Sequence, residues 1–353
     1  MGESRYMRLG RSSVRFDEPV SIISSASVVG TKEGEGPLGL LFDMVGEDDT
    51  FGCNTWEEAE SSLQKDAVYL ALKKANLKPE DINLLFAGDL LGQSIATSFG
   101  LAVYGIPLLG VYGACSTCGE SLALGAMSIA AEYADRAVCV TSSHFASAEK
   151  EFRYPLGYGN QRPLAASWTV TGSGAFVLGS GKTVTGSSRA LIRGVTIGII
   201  TDYGIKDSMN MGAAMAPAAA STIARHFAEW GTTPGDYDKI ITGDLGTVGQ
   251  TALFELLKKE GYDISDRHMD CGIEIYDAGT QDTHAGGSGC GCSAVTLSAY
   301  ILKQLEDYDK DSGKGWRKVL FVPTGALLSK TSFNEGKTIP GIAHALVIES
   351  NIA

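Results

Sequence analysis

Leu108-Leu-Gly-Val-Tyr-Gly-Ala-Cys-Ser-Thr-Cys-Gly-Glu-Ser-Leu-Ala-Leu-Gly125 reads as an apolar strand that turns at Gly113 and delivers Cys115 to the start of a small-residue helix. A thiol there meets unpaired backbone N–H groups and the positive end of the helix dipole, which lowers its pKa and makes it a nucleophile. The competing reading is a small cysteine packed in a crowded turn. Cys115 and Cys118 have redox-motif spacing, and Cys290-Gly-Cys292 supplies a second pair. Four converging sulfurs would suit zinc or an iron–sulfur cluster. Both pairs open apolar helices with no charged or histidine surroundings, so buried packing is the preferred reading and no metal is expected. The acidic segments Glu33-Gly-Glu35, Glu47-Asp-Asp49 and Asp307 to Asp311 lack the spaced ligands of an EF-hand and read as solvated loops.

The elements that must position these groups are partly written twice. Pro79-Glu-Asp-Ile-Asn-Leu-Leu-Phe-Ala-Gly-Asp-Leu90 returns 155 positions later as Pro234-Gly-Asp-Tyr-Asp-Lys-Ile-Ile-Thr-Gly-Asp-Leu245. Arg136-Ala-Val-Cys-Val-Thr141 returns as Arg317-Lys-Val-Leu-Phe-Val322 at an offset of 181. One repeat per half implies a duplicated fold and not a solenoid. Strand-like runs at Ser21 to Val29, Asn83 to Ala87, Leu108 to Tyr112 and Ala137 to Thr141 are too continuously apolar for a sheet with one wet face. Asn54-Thr-Trp-Glu57 fits a helix start with Asn54 as N-cap, and an apolar stripe then runs to about Ala75, ended by Asn76 and the Pro79 turn. Further helices are expected from about Ala213 to Trp230, Val248 to Lys259 and Cys290 to Leu305, with strands at Lys239 to Thr242 and Lys318 to Phe321. The pattern gives a layered α/β fold with two parallel-type sheets and helices between and outside them.

At 353 residues with 44% hydrophobic content, the chain is long enough for two domains and a large core. No low-complexity linker divides it, and its 44 glycines fall mostly in short clusters typical of tight strand-to-helix turns. A net charge of -12 argues against nucleic acid and against electrostatic binding to a bare anionic bilayer. The start, Met-Gly-Glu-Ser-Arg-Tyr-Met-Arg, has no apolar core of a secretory signal. Leu90 to Gly119 is uncharged but contains Pro107, six glycines, Gln93 and several hydroxyls, and reads as buried helix, turn and strand instead of a membrane span. Seven cysteines without a framework spacing suggest reduced thiols.

A cysteine opening a buried helix inside a duplicated α/β chain resembles the thiolase and ketoacyl synthase superfamily. More specifically, Gly36-Pro-Leu-Gly-Leu-Leu-Phe-Asp43, Ala87-Gly-Asp-Leu-Leu91, Tyr112-Gly-Ala-Cys-Ser-Thr117, Thr141-Ser-Ser-His144, Phe152-Arg-Tyr-Pro155, Met211-Gly-Ala-Ala-Met-Ala-Pro217 and Ala285-Gly-Gly-Ser-Gly-Cys290 resemble the stage V sporulation protein AD family of spore-forming bacteria. The resemblance implies a thiolase-like layered fold of two pseudo-twofold-related βαβαβαββ halves, set at 1–185 with an inserted loop at 145–168, and 186–353. It implies a role in loading dipicolinic acid into the developing spore, with other stage V sporulation membrane proteins as partners and a cytoplasmic or peripheral place at the spore inner membrane. Superfamily members pair through the nucleophile-bearing half, so a homodimer is expected by analogy. No cofactor is expected.

A decarboxylating condensing enzyme of the superfamily needs a His at the end of a second-half strand and a His or Asn in the turn before the last buried helix, to polarise a thioester and stabilise an enolate. This chain has Asp244 at the strand end and an Asn-less Gly286-Gly-Ser-Gly-Cys290 turn, with His284 just before it as the candidate base. Its catalytic set is incomplete, and the fold by itself supplies no activity. Dipicolinate, a flat dianion, would suit the same features better. Backbone donors at Cys115, Ser116 and Thr117, the His144 imidazole, the planar fork of Arg153, His284, Gly287 in the turn, and a flat wall from Tyr154 and Tyr158 are the candidate ligand contacts. Arg153 and Arg162 as solvated loop charges, and His144 as a packed side chain, are the alternatives. An acyl-thioester enzyme with Cys115 as nucleophile and His284 or His144 as base, and a scaffold with a vestigial pocket, are the competing functions. Calcium accompanying the ligand is left open.

Overall fold

A computed structural model of the chain describes residues 8–152, 162–181 and 188–352. Its strands are β1 (Ser13–Val29), β2 (Met44–Val45), β3 (Leu84–Gly88), β4 (Leu108–Gly110), β5 (Arg136–Ser143), β6 (Trp168–Thr169), β7 (Gly172–Gly179) and β8 (Ala190–Thr196). The later ones are β9 (Lys239–Thr242), β10 (His268–Asp270), β11 (Gly287–Ser288), β12 (Lys318–Val322), β13 (Thr324–Ala326), β14 (Gly341–Ala343) and β15 (Ala345–Glu349). The helices are α1 (Thr31–Gly34), α2 (Trp56–Ala75), α3 (Ile95–Leu101), α4 (Thr117–Ala130), α5 (Phe145–Phe152) and α6 (Met211–Trp230). They continue with α7 (Gly246–Lys259), α8 (Cys271–Glu274), α9 (Cys290–Thr296), α10 (Leu302–Glu306) and α11 (Lys330–Asn334).

Among the described residues one eleven-stranded sheet dominates, in the order β10-β9-β12-β15-β8-β1-β7-β5-β3-β4 with β2 beside β1. The order mirrors itself about the β8–β1 pair. On each side a parallel trio (β4-β3-β5, β10-β9-β12) is followed by two antiparallel neighbours. This corrects the expectation of two parallel-type sheets, because β1 and β8 pair antiparallel and join the halves into one mixed sheet. The expected boundary at 185/186 falls outside the described residues. The stretch read as an inserted loop at 145–168 begins with α5 and ends at β6.

Side chains alternate along the strands, and each face packs a different helix layer. Leu85, Ala87, Val138, Val140, Ala175 and Val177 face Leu63, Ala67 and Ala71 of α2. Ile240, Leu320, Val322 and Val347 face Met215, Ala219 and Ile223 of α6. The intervening residues Phe86, Cys139, Phe176, Ile241, Phe321 and Leu346 share one cluster with Leu122 and Ala126 of α4 and Val295 of α9. The two cysteine-opened helices are therefore the middle layer, covered by sheet on both sides.

The repeated sequences make repeated devices. Pro79–Asp81 and Pro234–Asp236 form equivalent single turns, each closed by a carboxylate (Asp81, Asp236) on the backbone N–H of the residue just before the proline, Lys78 and Thr233. Asn83 Oδ1 accepts from the N–H groups of Asp135 and Arg136, and Asp238 Oδ2 accepts from those of Arg317 and Lys318. Helix α2 ends at the left-handed Asn76 as its sequence suggested, but its N-cap is Thr55, whose hydroxyl accepts from Glu58 N–H at 3.2 Å. The last buried helix continues from α9 through a π turn at Leu297–Ile301 into α10. Among the described residues no helix is long and apolar enough to cross a membrane.

Candidate functional site

Cys115 sits on the turn that ends β4 and starts α4, and 5% of its surface is exposed. The turn is tied from within: Gly113 N–H donates to Thr117 Oγ1 (3.0 Å), Thr117 Oγ1 to Ala114 O (2.6 Å) and Ser116 Oγ to Gly113 O (2.7 Å). Ala114 is left-handed at φ +51°. β13 closes over it, and a Cβ on Gly325 would stand 2.2 Å from the Gly113 carbonyl oxygen. The backbone N–H groups of Ser116 and Thr117 are used in the same turn, on Gly113 O at 3.0 Å and Ala114 O at 3.1 Å. They were expected as ligand donors, but a turn this tight consumes them.

The thiol's neighbour is a carboxylate. Asp244, at the end of β9 and 2% exposed, accepts from Gly289 N–H at 2.9 Å and Ser288 Oγ at 3.2 Å through Oδ2, and from Thr324 Oγ1 at 2.8 Å through Oδ1. It also bonds the Cys115 side chain, whose sulfur lies 4.0 Å from Ser288 Oγ. Burial first, and then the Asp244 charge and hydrogen bond, push the Cys115 thiol well above the ordinary cysteine range. This reverses the sequence expectation of a lowered pKa: desolvation and a negative neighbour outweigh the helix start. The Asp244 carboxyl is itself raised by burial, an effect opposed by its four donors.

The cavity at Cys115 holds about 20 Å³, bounded by Leu90, Ala114, Phe152, Thr169, Met211 and Ser288 among others. That is room for about one water. Leu90, Phe152 and Leu328 also border a wider chamber of about 320 Å³, bounded in addition by Leu91, Gly92, Gln93, Ser94, Tyr112, Glu151, Leu327 and Ser329. The two spaces share these three side chains as a common wall, and Cys115 lines only the smaller one.

The remaining sequence candidates lie apart from the thiol. His144 directly follows β5 and was expected to face the cleft. Its Nε2 lies 2.7 Å from Asp49 O, its Nδ1 accepts from Ala146 N–H at 3.1 Å, and its ring packs 5.4 Å from Trp56. Both ring nitrogens are thereby used, burial lowers its pKa, and it borders neither space. His284 is left-handed at φ +54°, with Nδ1 2.9 Å from Pro163 O and Nε2 3.0 Å from Asp282 Oδ1. It too is absent from the walls of both spaces. Arg162 pairs with Asp282 at 2.8 Å. Gly287 pairs with Trp168 in the β11–β6 ladder, where a Cβ would meet Ile275 Cγ2 at 2.8 Å. Arg153, Tyr154 and Tyr158 lie outside the described residues. Cys290 Sγ donates to Ser142 O at 2.9 Å and Cys292 Sγ to Gly243 O at 3.5 Å, so these thiols are packed against backbone.

Sequence reasoning did not reach Ser288, Thr324, Met211 or the acids behind the chamber. Asp89, fully buried, accepts from Leu91 N–H (2.8 Å), Thr97 N–H (2.8 Å) and Thr97 Oγ1 (2.6 Å). Glu60 accepts from Ser142 Oγ (2.9 Å) and Ser147 Oγ (2.6 Å), and burial, aided by Asp89, pushes its carboxyl up to about 8. The available signal was the repeat, which places Asp89 and Asp244 in the same Gly-Asp-Leu triplet.

With this geometry in hand, comparison with known proteins is specific at the family level. The family described as Stage V sporulation protein AD (SpoVAD) matches residues 10–349. The chain is 44% identical over 340 residues to Stage V sporulation protein AD of Bacillus subtilis (strain 168), covering 96% of this chain and 97% of that one. Human mitochondrial 3-ketoacyl-CoA thiolase in complex with CoA superposes with a TM-score of 0.58 at 14% identity, over 96% of this chain and 99% of that one. For 3-oxoacyl-acyl-carrier-protein synthase III of Aquifex aeolicus VF5 the TM-score is 0.54 at 13% identity, over 94% and 99%. At such identities the two solved structures show a common fold.

Proposed function

This chain belongs to the stage V sporulation protein AD family, and from that premise we propose that it binds dipicolinic acid, free or as its calcium chelate, without transforming it. The binding place in this reading is the chamber that shares a wall with the Cys115 cavity, and the ligand is passed to a membrane channel built from other stage V sporulation proteins. The observation that carries the non-catalytic part is the partner of the thiol. Where acyl transfer needs an imidazole to take the thiol proton, Cys115 meets Asp244, which stabilises the S–H form and would repel an enolate. The chamber of about 320 Å³ supports the binding part, being of a size for a single small ring.

A homodimer is part of the proposal. β4 is an outer strand of the sheet and all three of its residues are exposed, with Leu109 51% accessible, while Phe99 and Val103 in the segment that precedes it are 75% and 69% accessible. An apolar open edge of this kind is suited to pairing with its own copy across a twofold axis. Association with the inner spore membrane would run through the partner proteins.

Isothermal titration with dipicolinate, with and without calcium and with an isomeric pyridine dicarboxylate as control, tests the reading. Saturable, selective binding together with no acyl transfer from acyl-CoA to Cys115 is the expected result. No binding of either ligand form, or turnover of an acyl thioester that Cys115→Ala abolishes, would replace it with the acyltransferase reading.

A further inference from the structure

We propose that the turn from Leu91 to Ile95 is the selective element of the chamber, with Gln93, Ser94 and the Tyr112 phenol donating hydrogen bonds to a carboxylate on a flat ring. This rests on the reading of the chamber given above and assigns its polar contacts.

Gln93 (φ 56°, ψ 23°) and Ser94 (φ 51°, ψ 51°) are consecutive non-glycine residues in the left-handed region. Two such residues in a row are unfavourable for L side chains and persist where the surroundings fix them. What fixes them is Asp89, buried beneath the turn, whose two oxygens hold Leu91 N–H on one side and Thr97 N–H and Oγ1 on the other. Asp89 is in turn backed by the Gln64 amide, which reaches Gly88 O at 3.1 Å and Thr97 Oγ1 at 3.0 Å. The strained turn is thus held from the inside of the protein, and the residues it carries border the chamber.

The chemistry of the walls selects the ligand class. Leu90, Leu91, Phe152, Leu327 and Leu328 give apolar surface for a ring face. Gln93 and Ser94 bring an amide and a hydroxyl. Tyr112 is 45% exposed and brings a phenol hydroxyl, a donor at neutral pH. Glu151 is the one charged group among the described lining residues, and a Cβ on Gly92 would lie 3.7 Å from its Oε1. Its charge directs an anionic ligand so that the carboxylate turns toward Gln93 and Tyr112 and the ring toward Phe152. Neutral donors held in advance bind a carboxylate with little ordering on association.

Titration with dipicolinate compares wild type with Gln93→Gly, Tyr112→Phe and Glu151→Gln. Glycine fits the left-handed backbone, so Gln93→Gly removes the amide while leaving the turn intact, checked by a melting temperature no lower than that of wild type. Binding about tenfold weaker or more is expected for Gln93→Gly and for Tyr112→Phe, and binding equal to or tighter than wild type for Glu151→Gln. Wild-type affinity in both Gln93→Gly and Tyr112→Phe, or weakened binding in Glu151→Gln, would overturn this assignment and leave the ligand-binding reading standing. Failure of wild type itself to bind dipicolinate would instead refute the reading on which it rests.

Discussion

Replacing Asp244 by Asn should make Cys115 more reactive while making the protein less stable. The carboxylate is in hydrogen-bond contact with the thiol, and a negative neighbour at that range shifts a titrating group by about one to three units. Taking one to two units for the loss of the charge, the thiolate fraction at fixed pH rises about 10- to 100-fold. Burial, the larger cause of the raised pKa, remains in the variant, so the thiol stays above the ordinary range and no plateau is expected below about pH 9. Three other donors converge on Asp244, from Gly289, Ser288 and Thr324, and an amide NH2 leaves at least one of them without an acceptor. That should cost about 1–3 kcal/mol. The assay is time-resolved labelling of the folded protein with a small methanethiosulfonate, mapped to the Cys115 peptide by mass spectrometry, alongside urea titration. The half-exposed Cys53 serves as an internal reference. A folded Asp244→Asn protein whose Cys115 reacts no faster than in wild type would refute the claim that Asp244 holds the thiol protonated.

Glu60 has its folded pKa raised from 4.5 to about 8, so between those values the unfolded chain ionises while the folded one keeps its proton, and stability falls as pH rises. Urea midpoints of Glu60→Gln should therefore gain on wild type from pH 6 to pH 8, by about 1 kcal/mol per unit; a constant gap would contradict the shift. His226, His268 and His344 are lowered from 6.5 to about 3, 4 and 4, so the stability their burial permits is complete above pH 6.5 and lost as pH falls toward 4. Wild type should accordingly melt highest near pH 6, as read by scanning calorimetry across pH 4–9. Gly325→Ala places a Cβ on the Gly113 carbonyl and should destabilise by about 1–3 kcal/mol, with a change in Cys115 labelling that a distant core substitution would not produce. Leu109→Lys on the β4 edge should convert a dimer to a monomer in light scattering, and a dimer unchanged by it would place the contact elsewhere.

The fold was legible in the sequence because its signals are local or repeated. The Gly-Asp-Leu triplets, the apolar stripe of α2 and the small-residue opening of α4 each arise within a few turns of chain, and each appears where expected. What required the structure was the company each residue keeps. The strand end at His144 was readable, but the loop carrying Asp49 that captures its Nε2 comes from 95 residues earlier. Cys115 was placed correctly at a helix start, yet the sign of its pKa shift is set by burial and by Asp244, which no local pattern links to it. Asp244 itself was noticed as a misfit for enolate chemistry; its four-donor cradle emerges only when β9, β11 and β13 meet. The antiparallel β1–β8 junction also had no sequence mark, because pairing across it depends on register and not on composition.

That junction has a consequence for assembly. β1 meets β8 through Ser13–Arg15 and Val20–Ile22, so the innermost strand of each half has its free edge covered by the other half. If β1 and β8 were carried on separate chains, each edge would be exposed and the two would meet at a rate set by concentration. Carrying both strands on one chain makes the encounter a tethered one, satisfied at any expression level. The aspartates of the repeated Gly-Asp-Leu triplet serve different purposes on the two sides of the junction. Asp89 braces its own turn, while Asp244 reaches across to govern a sulfur from the opposite half.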